Sequence, residues 1–362
     1  MDETGSSVPT FSHDAQAAAP ATRVSLSRVG VTGVEKVIRV CGAQGAPGRE
    51  AEEAPFGAGN GSAVANNLQA GLYHAELECL VDLNPEQKGV HMSRFEEVVN
   101  EAIDEVVLSE SLRAEGLAAH IAERVRERQG GLRSEVRISA RYPETKPAPV
   151  SEIPTQEIYT LFGTAVASER GTRTLTGVEA QGMTACPCAQ GLVEDGARER
   201  LAGRGYSPEQ IDEIVDTVPL ATHNQRGIGR LYIGRPEDSG VEIDARDLLA
   251  IVEQSMSSEI YELMKRSDER FVVEKAHANP RFVEDCVREM VRRVVEAYPE
   301  LASGCFVQAR QENLETIHRH NVVAERYGLL SEIAAELDGG EHSRHHTTMR
   351  EWLEAPSIQA AG

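Results

Sequence analysis

Arg173-Thr-Leu-Thr-Gly-Val-Glu-Ala-Gln-Gly-Met-Thr-Ala-Cys-Pro-Cys188 is the stretch on which the fold turns. From Arg173 to Ala185 apolar and polar residues interleave as in a strand. Gln156 to Ala167 reads the same way, which predicts a strand pair. Past Pro187 the pattern turns helical, around Gly191 to Gly203 and again from Ser207 to Asp216, where Ser-Pro-Glu supplies an N-cap with proline at the first helical position. Toward the C-terminus, Arg226 to Ile233 predicts a strand, Asp244 to Glu253 a helix, Asn279-Pro280 the start of a long helix to Tyr298, and Ser303 to Gln311 a last strand. Toward the N-terminus, Leu132 to Ala140 is a strand, a helical pattern from Ser93 runs with a break to Arg128, and Arg23 to Val40 and Gly71 to Leu83 alternate as strands. Strand pair, helices, strand pair, repeated once, describes two similar α+β units with antiparallel sheet and helices on one face.

The tract holding Pro143, Pro147, Pro149 and Pro154 predicts the boundary, giving units at 23–150 and 151–336. Residues 42–67, rich in Gly, Ala, Pro and Glu, read as an insertion or linker. Residues 1–22 and 337–362 read as disordered tails, although His342, His345 and His346 in the second are metal-capable.

Composition narrows the function. The formal net charge is -21, from 58 acidic against 37 basic residues, and the only lysines are Lys36, Lys88, Lys146, Lys265 and Lys275. So acidic a surface repels nucleic acid and anionic membranes. It suits either a solvated surface or a high-salt cytoplasm, where charge is screened within about 3 Å at 1 M. No apolar run is long enough to span a bilayer, and the N-terminus lacks a basic, apolar secretory signal, so a cytoplasmic protein with reduced thiols is expected.

Four polar clusters can carry chemistry. Cys186 and Cys188, stiffened by Pro187, with His223 in Thr222-His-Asn-Gln-Arg226, offer soft and borderline ligands to a transition metal. Cys-x-Cys alone is a weak signal, because packing cysteines behave as small hydrophobes. Lys265-Arg-Ser-Asp-Glu-Arg270 and Phe282-Val-Glu-Asp285 are the second and third. In the fourth, Glu315 and His318 would share a helical face, or His318 and His320 one face of a strand, or the segment is a solvated turn. Lys88, His91 and Arg94 surround a glycine turn before the first long helix, a place where an anion can bind.

In order along the chain, Val24 to Gly33, Lys88 to Phe95, Thr184-Ala-Cys-Pro-Cys188, Thr222 to Arg226, Lys265 to Glu269, Asn279 to Asp285 and Glu315-Thr-Ile-His-Arg-His320 resemble the type IB GTP cyclohydrolases, most of all their archaeal branch. The resemblance covers about residues 23 to 330. It implies a bimodular tunnelling fold of two ββααββ units, assembled as a homo-oligomer (dimer or tetramer) with sites at subunit interfaces. Carried over, the metal ligands fall on Cys186, His223 and Glu269, the purine anchor on Glu284, the helper pair on Glu315 and His318, and a second catalytic cysteine on Cys188. Lys88, His91, Arg94 and Arg226 become candidates for the triphosphate. The metal implied is one divalent ion per subunit, Fe(II) first, with Zn or Mn also compatible with this ligand set. The implied reaction on GTP opens the guanine imidazole ring, releases formate and yields 7,8-dihydroneopterin 2′,3′-cyclic phosphate, the first step of a methanopterin or folate-type pathway; the bacterial-type alternative is the triphosphate. Residues 191–221 exceed the short bacterial spacing, so spacing alone does not bring Cys186 to His223.

Two other function classes compete with this one. A non-catalytic purine-binding protein of the same fold would keep Glu284 but need neither Cys186 nor His223. A thiol redox pair of Cys186 and Cys188 would leave the acidic clusters without a purpose.

Overall fold

The computed structural model describes residues 16, 18–40, 71–107, 113–236, 242–301, 304–340 and 342–355; the expected insertion at 42–67 and most of the N-terminal tail lie outside them. The first half runs β1 (Leu26–Val40), β2 (Gly71–Leu83), α1 (Met92–Val107), α2 (Ala114–Gln129), β3 (Arg133–Pro147) and β4 (Pro154–Ser168). The second runs β5 (Gly171–Ala185), α3 (Pro187–Ala202), α4 (Pro208–Thr217), β6 (Asn224–Arg235), α5 (Ala245–Gln254), β7 (Ser258–Glu259), α6 (Arg266–Ala278), α7 (Val283–Ala297), β8 (Phe306–Leu314), β9 (Val322–Leu329), α8 (Leu330–Leu337) and α9 (Met349–Glu354). All pairings are antiparallel, in the order β1-β2-β3-β4-β5-β6-β8-β9, with β7 beside β5. This is the α+β arrangement of two ββααββ units, the second enlarged by the α3–α4 hairpin and by α6.

Strand alternation puts Ala75, Leu77, Cys79, Val136, Ile138 and Ala165 on one face, where α1 and α2 cover them with Phe95, Val98, Ile121 and Val125. On the same face farther along, Val178, Leu231, Ile233, Val307 and Ala309 pack under α5 and α7 through Leu248, Val252, Cys286 and Met290.

Two expectations are corrected. The proline tract is not a unit boundary: β3 and β4 pair from Arg133↔Ser168 to Pro147↔Pro154, so the first unit closes at Ser168. Pro143 is tolerated because it lies beyond Ala140, the last β3 residue paired with β2, where a missing N–H costs no bond on that side. The units meet instead at the two-residue hairpin between Ser168 and Gly171, whose φ of +110° favours glycine. Nor is the C-terminal segment all a free tail. Its residues 342–355 return to the helix-free face of the sheet, where Trp352, capped into α9 by Thr348, packs with Val166, Leu175 and Phe306. A single tryptophan in a polar, His-containing stretch gives no periodicity to read.

Among the elements that escaped prediction are α6, whose first turn is charged, and β9, which is half-buried and follows a loop holding His318 and His320; the short β7, α8 and α9 escaped as well. Among the described residues no helix is long and apolar enough to cross a membrane.

Candidate active site

At one end of the second unit the strands β5, β6 and β8 finish or begin together, and their connections gather the polar clusters. The α3–α4 excursion leaves β5 at Cys186 and returns at His223, and the ladder closes it: Ala185 pairs with Asn224, and the Cys186 N–H donates to the His223 carbonyl at 3.1 Å. Thr222 Oγ1 donates to the Cys186 carbonyl (2.8 Å), while Gln190 Nε2 donates to Leu220 O (3.0 Å) and His277 O (2.7 Å). However long the excursion, its two ends are therefore neighbours.

The start of α7 is fastened to the same place. The Arg281 N–H donates to Ala185 O (3.0 Å), its guanidinium donates to Ser255 O (2.9 Å), and Asp285 accepts from the Phe282 N–H (3.0 Å). Beyond β8, the 315–321 segment is a turn, neither helix nor strand, pinned by Thr316 Oγ1 donating to Asn224 O (3.1 Å).

Between these elements lies a cavity of about 260 Å³. Cys186, His223, Glu315, His318 and His320 present their side chains to it, Phe282, Val283 and Val322 form apolar wall, buried Gln225 and Asn313 lie at its base, and Glu284 joins from the first turn of α7. His223 Nδ1 is 3.1 Å from Gln225 Oε1 and 3.8 Å from Glu315 Oε2. The His318 and His320 rings stack at 5.1 Å, 15° from parallel.

Cys186, His223, Glu284, Glu315 and His318 are thus brought together as the sequence predicts. The remaining candidates are not. Glu269 is exposed in the first turn of α6 and Cys188 exposed in the first turn of α3; neither lines the cavity. Lys88 and His91 lie in the β2–α1 connection of the first unit and Arg94 in the first turn of α1, where Arg94 donates to Arg128 O (3.2 Å) and the His91 carbonyl accepts from Gln129 Nε2 (2.9 Å). Arg226 is exposed on β6, and strand alternation turns it away from the face that carries Gln225. Glu315 stands 3.8 Å from His223 Nδ1 and shares the cavity with His318. His320 comes from the fourth cluster, where it was paired with His318, whereas Gln225 and Asn313 were not among the candidates. The period of two along His223-x-Gln225 and Asn313-x-Glu315 is the signal that finds the last two.

Burial sorts the thiols. It pushes Cys79 and Cys286 up to about 12 and Cys305 to about 11, so these stay protonated and pack as hydrophobes. Cys186 is only partly buried and opens on the cavity. One thiol, three imidazoles and two carboxylates line the cavity, and these are donor types that suit a divalent first-row metal. Among the described residues, though, no three His, Cys, Asp or Glu side chains are grouped closely enough to hold an ion. The donor chemistry fits a metal, and the coordination geometry is not laid out in one chain.

Residues 64–324 match the family described as Type I GTP cyclohydrolase folE2. The chain is 39% identical over 330 residues to GTP cyclohydrolase MptA of Methanococcus aeolicus, covering 90% of this chain and 99% of that one. It is 37% identical over 329 residues to GTP cyclohydrolase MptA of Methanocaldococcus jannaschii (90% and 97%), and 35% identical over 332 residues to that of Methanoculleus marisnigri (90% and 98%). Among solved structures, uricase from Arthrobacter globiformis aligns over 83% of this chain and 92% of its own at 8% identity, with a TM-score of 0.47.

Proposed function

The chain belongs to the type I GTP cyclohydrolase family, and we propose on that premise that the Cys186–His223 cavity opens the imidazole ring of GTP, releases C8 as formate and delivers a dihydroneopterin. The observation that carries the assignment is the convergence of Cys186, His223, Glu284, Glu315 and His318, from four separate connections, on one cavity.

Glu284 anchors the base. Its carboxylate accepts from guanine N1–H and the 2-amino group; adenine, lacking that edge, would leave the carboxylate unpaired. Phe282 and Val283 beside it give the purine an apolar wall. Cys186 and His223 would hold a divalent metal, Fe(II) in this reading, with the Glu315 carboxylate 3.8 Å from His223. A metal bound there supplies hydroxide near neutral pH by lowering the pKa of its water. Attack at C8 breaks the ring C8–N bond, and a second water releases formate; His318 gives and takes the protons at the ring nitrogen and the leaving amine. The ribose, opened at C1′, rearranges to the 2′-ketone, and the amine freed by formate loss condenses with that ketone, losing water and closing the dihydropterin ring. Attack of the side-chain 2′-hydroxyl on the α-phosphate then expels pyrophosphate and closes the 2′,3′-cyclic phosphate, the product that agrees with the MptA-type relatives.

A homo-oligomer completes the proposal. The cavity lining holds no lysine or arginine, so the triphosphate needs cations from Lys88, His91, Arg94 or Arg226 of a neighbouring copy, which is also the route by which Glu269 would reach the metal. The assay is oxygen-free incubation of the protein with GTP and Fe(II), Mn(II) or Zn(II), with formate measured and the pterin identified by mass. Formate and a cyclic phosphate are expected, and Cys186→Ala should lose metal and turnover together. No formate with any of the metals overturns the reading.

A further inference from the structure

Gln225 is a buried amide with no assigned role, held between two groups of the site. Its side chain is on the same strand face as His223, two residues along β6, and is 5% exposed. Oε1 stands 3.1 Å from His223 Nδ1, while Nε2 donates to Thr184 Oγ1 at 3.1 Å. Thr184, fully buried, is the direct ladder partner of Gln225 across β5 and β6, so the backbone fixes the far end of the amide.

We propose that Gln225 is a positioning residue that holds the His223 proton on Nδ1 and leaves Nε2 as the ring's lone-pair donor. The direction of the amide follows from its surroundings. Two oxygens face Nδ1, that of Gln225 on β6 and, at 3.8 Å, that of Glu315 in the turn after β8. A proton on Nδ1 donates to the Gln225 oxygen and faces the carboxylate with favourable sign; a lone pair there would oppose the carboxylate and leave the amide oxygen facing another acceptor. The ring nitrogen that meets a metal is selected by the hydrogen bond its partner nitrogen makes, and such supporting contacts are worth about 10- to 100-fold in metal affinity. Gln225, tied to Thr184, supplies this contact from the protein's interior.

The consequence for the metal rests on the proposed role of His223, but the tautomer does not, which allows the two to be tested apart. Long-range proton–nitrogen spectra of metal-free protein labelled with ¹⁵N-histidine, recorded near pH 8 where imidazole is neutral, read the tautomer directly; the His223 signals are those lost in His223→Asn. The wild type should show Nδ1–H. Gln225→Leu should shift His223 toward Nε2–H, weaken Fe(II) binding in competition with a chelator by about 10- to 100-fold, and lower kcat with KM for GTP little changed. Gln225→Glu, which keeps an acceptor, should retain Nδ1–H. Nε2–H in the wild type, or a Gln225→Leu protein whose melting and His223 spectrum both match the wild type, overturns the inference. A tautomer shift in Gln225→Leu, in a protein that binds no metal and releases no formate, sustains the inference and overturns the proposed function.

Discussion

Replacing Trp352 with alanine tests whether the C-terminal segment belongs to the folded body. The indole is 2% exposed and lies over Gly234, where an added Cβ would come within 2.6 Å of the ring. It packs on Phe306 with centroids 5.9 Å apart, sits under the Arg173 guanidinium at 4.8 Å, and donates from Nε1 to Gly304 O at 2.9 Å. Truncating a buried tryptophan costs about 3–5 kcal/mol, of which the hydrogen bond accounts for about 1. At roughly 2.1 cal/mol/K per residue of unfolding entropy, a chain of this length should melt about 4–7 °C lower. Trp352 is the only tryptophan, so the wild-type fluorescence reports on this contact alone. Its emission should be that of a buried indole and shift to the solvent-exposed value in the same transition that unfolds the sheet. Trypsin, cutting after Arg344 or Arg350, should act on Trp352→Ala well before wild type. Wild-type emission already at the exposed wavelength, or a melting point unchanged within about 1 °C against that expected shift, refutes the docking and restores the tail.

Glu284→Gln should lower kcat/KM for GTP by about two orders of magnitude, because one acceptor oxygen becomes a donor facing a donor and a charge-assisted bond of about 1.5–3 kcal/mol is lost; an unchanged value would remove Glu284 from the purine. Asp268, fully buried, accepts from the Val150 and Ser151 N–H groups (2.8 Å each), Ser151 Oγ (2.6 Å) and the Lys265 N–H (2.8 Å). Burial alone would raise its pKa, but these bonds outweigh it and hold the carboxyl well below the usual range. Asp268→Ala should therefore lower the melting temperature at neutral pH and expose the 148–153 turn to hydrogen exchange; unchanged exchange there would show the carboxylate is no staple. Glu289 is drawn down to about 2 by its bond from Arg292, against burial, and by Arg293. A depressed carboxylate stabilises above its unfolded pKa of about 4.3 and loses that contribution as pH falls toward the folded value. The melting difference between wild type and Glu289→Gln should be constant above about pH 5 and shrink between about 4 and 2; a difference that does not shrink contradicts the ion pair.

The strands and most helices were legible because their signal is local. Leu77, Cys79 and Val81 alternate inward, and Ser207-Pro208 caps a helix, with no reference to anything distant. The misreadings share the opposite cause. The prolines of 143–154 break a pattern locally, yet their placement is decided by which neighbour strand needs an N–H, and that is a property of the sheet. Trp352 has no periodicity of its own, and its docking depends on the notch left by Gly234 over a hundred residues away. In the site, Cys186 and His223 were named from residue type, and their adjacency followed only once β5 and β6 were in register at Ala185↔Asn224. Gln225 carried no chemical label in the sequence, and only the folded chain puts it in the same cavity as the histidines.

The cavity's charge separates two tasks that a single pocket often combines. Its titratable lining is Cys186, His223, Glu284, Glu315, His318 and His320, to which the proposed function assigns a cation, a purine edge and proton transfer. Nothing in that lining neutralises a triphosphate, and the chain as a whole carries 58 acidic residues against 37 basic ones. Such a surface does not draw in a polyanion by its general field; it needs cations concentrated at one spot. Arg226 is the nearest cation on the same strand and turns to the other face, while Lys88, His91 and Arg94 belong to the first unit. The proposed function therefore draws its base chemistry from the second unit and, Arg226 aside, its phosphate cations from the first, the division that a site finished by a second copy of the chain would have.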